Sequence, residues 1–144
     1  MFSKSCEYGL RAVIFIAQQS RLGKKVSLIT ISEAIDSPQA FTAKILQQLT
    51  KNQIVNSAKG PKGGFYIETE NMQLLNLSAI VKVLDGDSIY TGCGLGLKQC
   101  NDQKPCPLHY RFVAIREELK NMLEKTTLLM LVNDMDLDIF HLKT

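Results

Sequence analysis

Three cysteines and a histidine fall within one short stretch of the chain: Cys93, Cys100, Cys106 and His109. The stretch runs Cys93-Gly-Leu-Gly-Leu-Lys-Gln-Cys100-Asn-Asp-Gln-Lys-Pro-Cys106-Pro-Leu-His109, and Gly92, Gly94 and Gly96 crowd the first cysteine. Glycine weakens both helix and strand, so this segment reads as a loop able to fold closely around something small. Thiolates and an imidazole together suit a metal ion or an iron–sulfur cluster. A structural zinc site of the Cys₃His type is the alternative, although the spacing lacks the Cys-x₂-Cys pair usual in such sites. A loop without any metal stays open too. Thiol enzyme chemistry has little support: there is no Cys-x-x-Cys motif, no phosphate loop and no paired carboxylate site. Cys6 stands apart and reads as a small packed residue.

The elements around the loop suggest what it would serve. The 144-residue chain fits one domain, or a small domain with an arm. Its 45% apolar and 22% charged residues are ordinary for a soluble globular protein. No apolar run reaches the roughly 20 residues needed to span a membrane, and the start has no signal-peptide shape. The expectation is a cytoplasmic protein without a membrane partner, in which cysteines serve metals or chemistry rather than disulfides. Charge is uneven. Residues 1–67 carry nine Lys/Arg against three acids, and residues 68–144 carry eight against eleven. A basic first half beside an acidic second half fits a nucleic-acid-binding head on a separate body.

The spacing predicts a helix over 3–20 with Ser3 as N-cap, and Val26–Ile29 as a short strand or an entry to the next helix. A short helix Ile31–Ile35 opens on the capping-box pair Thr30 and Glu33. An amphipathic helix Pro38–Lys51 follows. Short helix, turn and longer helix make a helix-turn-helix. Two strand-like runs, Ile54–Ser57 and Phe65–Ile67, flank a glycine- and proline-rich turn carrying Lys59 and Lys62, which reads as a wing. Gln39, Thr42 and Ala43 are expected at base edges in double-stranded DNA. Lys44, Lys59 and Lys62 are expected at phosphates or the minor groove. Leu77–Leu84 forms a further helix. Residues 107–125 form a long one, with Leu108, Phe112, Ile115, Leu119 and Met122 at steps of four and three. That is a heptad seam, which predicts a homodimer.

The fold class is therefore mainly α with a small β wing (α+β). A winged helix-turn-helix domain covers 1–86, a cysteine-rich sensor loop 87–106, and a dimerisation helix with tail 107–144. Several segments carry a resemblance: Ser3-Lys4, Glu7-Tyr8 and Arg11-Ala12 at the start; Leu49-x-Lys51-Asn52-x-Ile54-Val55; Gly60-Pro61-x-Gly63-Gly64-Phe65; Ile80 with Leu84-Asp85-Gly86; the three cysteines; and Thr127-Leu128-x-x-Leu131-Val132. With these the chain resembles the bacterial winged-helix transcriptional regulators that include IscR, NsrR and CymR, over roughly residues 2–133.

The resemblance implies a dimeric transcription factor, repressor or activator, and not an enzyme. It implies that Cys93, Cys100 and Cys106 hold an iron–sulfur cluster. His109 would be the fourth ligand in the 2Fe–2S manner, and Glu7 of the other subunit the alternative in the 4Fe–4S manner. The first cysteine gap holds six residues, where the family commonly has about five. Ala43 stands about where IscR-like members carry a discriminating glutamate. The same resemblance keeps a second reading open: a winged-helix regulator without a cluster, controlled by a partner protein or small ligand.

Overall fold

The computed structural model describes residues 1–144. Helix α1 spans Lys4–Arg21, and the Ser3 hydroxyl caps it by accepting from the Cys6 amide. Its inner face (Cys6, Ala12, Val13, Ile16, Ala17) is fully buried. The helix-turn-helix packs against it. Helix α2, Leu28–Ala34, starts three residues before the expected Ile31. Ser27 takes the N-cap position, and its hydroxyl accepts from Thr30 N at 3.2 Å. The capping-box pair is thus inside the helix, because a serine with extended backbone was available one turn earlier.

Helix α3 spans Gln39–Lys51 and buries Thr42, Ile45, Leu46 and Leu49. Arg11 fixes the turn before it, donating from Nη1 to the Ile35 carbonyl at 2.9 Å while stacking over Tyr8. Tyr8 in turn meets Phe41 edge-on. The helix-turn-helix is therefore clamped from the first helix by a charged side chain and two aromatic rings.

The wing is an antiparallel pair, β1 (Asn56–Ala58) and β2 (Gly64–Tyr66), with Ser57 opposite Phe65. Val26 adds a third, single-residue rung, giving its N–H to Phe65 O at 3.0 Å and accepting from Phe65 N at 2.7 Å. Thus Val26 is strand and helix entry at once. Gly64 sits at φ +132°, where a Cβ would also lie 2.9 Å from Val26 O. A Cβ on Gly63 would fall 2.2 Å from the Ala58 carbonyl. The paired glycines let the returning strand pass this close to the backbone beside it.

Helices α4 (Thr69–Leu74) and α5 (Leu77–Asp85) complete the head; α4 is too short to leave a periodic signal. A single turn, α6 (Ser88–Thr91), leads into the cysteine loop, and α7 spans His109–Lys125. Pro107 and Leu108 lie in the turn before α7 rather than inside it. The apolar tail forms an unforeseen helix, α8 (Leu128–Met135), with Thr127 as N-cap. It folds back onto α1. Leu123, Leu128 and Val132 belong to the same buried core as Ile16, Ile45 and Ile80, and Leu77 N and Leu128 N bond across to Thr126 O and Leu75 O. One core therefore runs across the expected divisions at 86/87 and 106/107. No helix is long and apolar enough to cross a membrane.

Candidate functional site

The cysteine loop leaves α6 at Gly92 and returns to the chain at His109, the first residue of α7. Its donors meet as two pairs. Cys93 Sγ and Cys106 Sγ are 3.7 Å apart. Cys100 Sγ is 3.2 Å from His109 Nδ1. The sequence assigns four donors to one point, whereas no three of the ionisable or sulfur side chains form a single ion-binding cluster. All four cysteines are free thiols.

The details of each pair suit metal ligation. A tetrahedral centre with metal–sulfur bonds of about 2.3 Å holds two thiolates about 3.7 Å apart, as Cys93 and Cys106 stand here. His109 is 4% exposed. Its Nε2 lies 2.5 Å from Asp102 Oδ1. A neutral ring donating from Nε2 to that carboxylate turns the Nδ1 lone pair toward Cys100, and a ligating histidine is commonly held this way. The Cys93 thiol is pulled below its usual range, chiefly because the Leu95 amide, and next the Leu97 amide, point at the sulfur. Thiolate is the form a metal takes. Cys6 is the opposite case: burial, and then the Asp85 carboxylate, push its thiol up to about 12. It stays protonated in the core, as its packed position suggests.

Two loop contacts were not legible in the sequence. Phe112 lies under the loop, so that a Cβ on Gly94 would meet its ring at 2.4 Å. Arg116 donates to Gly92 O at 2.6 Å and to Cys100 Sγ at 3.3 Å. Its Nε is buried with no hydrogen-bond partner among the protein's atoms. Glu7, the alternative ligand, instead pairs with Lys4 at 3.0 Å on the first turn of α1.

The second surface is the outer face of α3 with the wing. Gln39, Lys44, Gln47 and Lys51 are exposed there, with Ala43 half-buried between them, and Lys59 and Lys62 are exposed at the wing tip. One expected residue fails. Thr42 is fully buried, its hydroxyl donating to Pro38 O at 2.9 Å and touching Ser37 Oγ. It closes the first turn of α3 from inside and cannot reach a base edge. Counting 3.6 residues per turn from Ile45 and Leu49 would have put it on the inner face and Gln47 on the outer.

On α7 the seam divides. Phe112 and Leu119 are half-buried within their own chain, and Leu108 likewise. Ile115 and Met122 are 55% and 49% exposed. A mainly apolar groove of about 320 Å³ runs beside Ile115, lined among others by Ile89, Cys93, Phe112 and Leu119.

Comparison with known proteins bears on both surfaces. The family described as Rrf2, iron-dependent transcriptional regulator, matches residues 2–134. The chain is 27% identical to a putative HTH-type transcriptional regulator of Aquifex aeolicus, covering 92% of each. It is 28% identical to the HTH-type transcriptional regulator IscR of Yersinia pseudotuberculosis, over 90% of this chain and 77% of that one. Among solved structures, CymR, the global cysteine regulator of B. subtilis, aligns with a TM-score of 0.74 at 20% identity, over 92% of this chain and 96% of that one. IscR of T. potens aligns with a TM-score of 0.74 at 19% identity, over 97% and 91%. The winged-helix fold and these relatives are those of transcription factors and not of enzymes. A helix-turn-helix clamped by Arg11, a wing closed by Gly63-Gly64 and a match that reaches from the first helix to α8 agree: the chain belongs to the Rrf2 family of transcriptional regulators.

Proposed function

We propose that the protein is a homodimeric, sequence-specific DNA-binding regulator of the cytoplasm whose loop holds an iron–sulfur cluster through Cys93, Cys100, Cys106 and His109. The observation that carries this reading is the donor arrangement: two pairs, one at the thiolate spacing of a tetrahedral metal, the other with its histidine buttressed by Asp102. Donors in twos suit a 2Fe–2S cluster, in which each iron takes two protein ligands. The cluster would supply a response to redox state, iron or nitric oxide. The residues of the chain would bind it and tie it to α7.

Anaerobic purification with iron and sulfide analysis tests this. The expected result is roughly two irons and two sulfides per chain, visible absorption, and loss of both in Cys93→Ser and His109→Ala. Stoichiometric zinc without sulfide would overturn it. Retention in His109→Ala together with loss in Glu7→Ala would move the fourth ligand to Glu7 and favour a 4Fe–4S cluster. A regulator without a cluster, controlled by a partner, is the second reading. It draws on the fold shared with CymR, the global cysteine regulator of B. subtilis.

On the DNA side, Gln39, Ala43 and Gln47 would meet base edges in the major groove, while Lys44, Lys59 and Lys62 would meet phosphates or the minor groove. Replacing Lys59 and Lys62 together with alanine should weaken binding to all duplexes alike. The slope of log K against log salt should fall by about two. Anisotropy titrations at several salt concentrations measure both effects; an unchanged slope removes the wing tip from the interface.

A further inference from the structure

We infer that Arg116 is the positioning residue of the cysteine loop: it straps the loop to α7 and sets a permanent positive charge on the Cys100 sulfur. The electrostatic half of this inference rests on the cluster reading above; the strap does not. Arg116 lies one turn beyond Phe112 and two turns beyond His109, so all three project from one face of α7 toward the loop. Its two terminal nitrogens span that loop. Nη1 takes the Gly92 carbonyl at 2.6 Å, at the loop's start. Nη2 takes Cys100 Sγ at 3.3 Å, in its middle. Cys100 thereby lies between Arg116 and the imidazole of His109, which stands 3.2 Å away.

The rigid planar fork of a guanidinium can hold both acceptors at once, and it keeps its charge at any physiological pH. A lysine in its place would bring the charge and lose the span. A hydrogen bond from a cation to a ligand sulfur stabilises the more negative, reduced form of a cluster, because hydrogen bonds and net charge near the sulfurs set the potential. The Nε of the same group is buried and unpaired within the chain.

The test compares wild type, Arg116→Lys and Arg116→Gln in two states. In the anaerobic holo-protein, the midpoint potential should fall in Arg116→Gln and stay near wild type in Arg116→Lys, since only the first removes the charge. A purely structural role would not sort the variants by charge. In the apo-protein, amide exchange across residues 92–100 should accelerate in both variants, since neither side chain spans Gly92 and Cys100. Equal potentials in all three proteins overturn the electrostatic role. Unchanged exchange in the apo-protein overturns the strap. A wild type that takes up no cluster overturns the site reading and the electrostatic role with it, and the exchange alone then decides the strap.

Discussion

Ile115→Asp/Met122→Asp is expected to turn the proposed dimer into monomers and to lower operator affinity by about 10²–10⁴-fold. The two positions are seven residues apart on α7, so they share a face. They are also the members of the heptad seam that stand most in solvent, at 55% and 49% exposure. Leu119 and Phe112 are poorer choices, because both pack on their own chain and their loss would disturb the monomer as well. Aspartates at the exposed pair leave the isolated fold nearly untouched and place four carboxylates in the seam of a pair. Burying such charges unpaired is prohibitive. Affinity should fall steeply because two heads on one dimer would bind two half-sites about one helical turn apart. Once the first head is bound, the second binds as an intramolecular event, and a monomer loses that advantage. Sedimentation velocity reports the assembly, and anisotropy against an operator selected from random duplexes reports the binding. A wild type that sediments as a monomer at micromolar concentration, or an aspartate variant that binds as tightly as wild type, would remove α7 as the dimer seam.

The sequence carried the architecture well where local chemistry and packing point the same way. Ser3 before an amphipathic run, Ser37-Pro38 before α3, and Gly60-Pro61-x-Gly63-Gly64 between two short strands each have one good structural solution. It carried less where tertiary contacts decide. Leu128–Met135 reads as an undifferentiated apolar tail, and only the buried face of α1 gives Leu128 and Val132 a side to choose. Thr42 is a polar residue on a polar-looking helix, yet its hydroxyl finds Pro38 O in the turn beneath it, and the helix period puts it inside.

The same division holds at the site. The donors Cys93, Cys100, Cys106 and His109 are legible because few residue types ligate soft metals. Asp102 and Arg116 are not, because an aspartate in a loop and an arginine on a helix are surface residues by default. Only the return of the loop across α7 brings the carboxylate to His109 and the guanidinium to Cys100.

Loss of the proposed cluster is expected to change operator affinity by about 5–150-fold, a coupling of about 1–3 kcal/mol. The physical route runs through the start of α7. His109 N bonds to Cys106 O at 3.0 Å, which ties the last cysteine to the turn that leads into the helix. Phe112 and Arg116 hold Gly94 and Gly92 from the next two turns. Between these points, residues 94–105 are mostly exposed and polar or glycine, so the loop buries little that would offset the entropy of ordering it. Four protein ligands on one cluster would fix both donor pairs at once. Without it, the loop between the Arg116 contacts and Cys106 can relax, and the helix that carries Ile115 and Met122 loses the tie that a cluster would add to its beginning. Since the proposed seam would set how the two heads are spaced, its geometry would bear directly on the fit to two half-sites. The measurement compares operator affinity for the anaerobic holo-protein, the apo-protein and Cys93→Ser/Cys100→Ser/Cys106→Ser. The triple variant should bind as the apo-protein does, and both should differ from the holo-protein. Three equal affinities would uncouple the loop from DNA binding at that operator and leave control by a partner or small ligand as the reading to pursue.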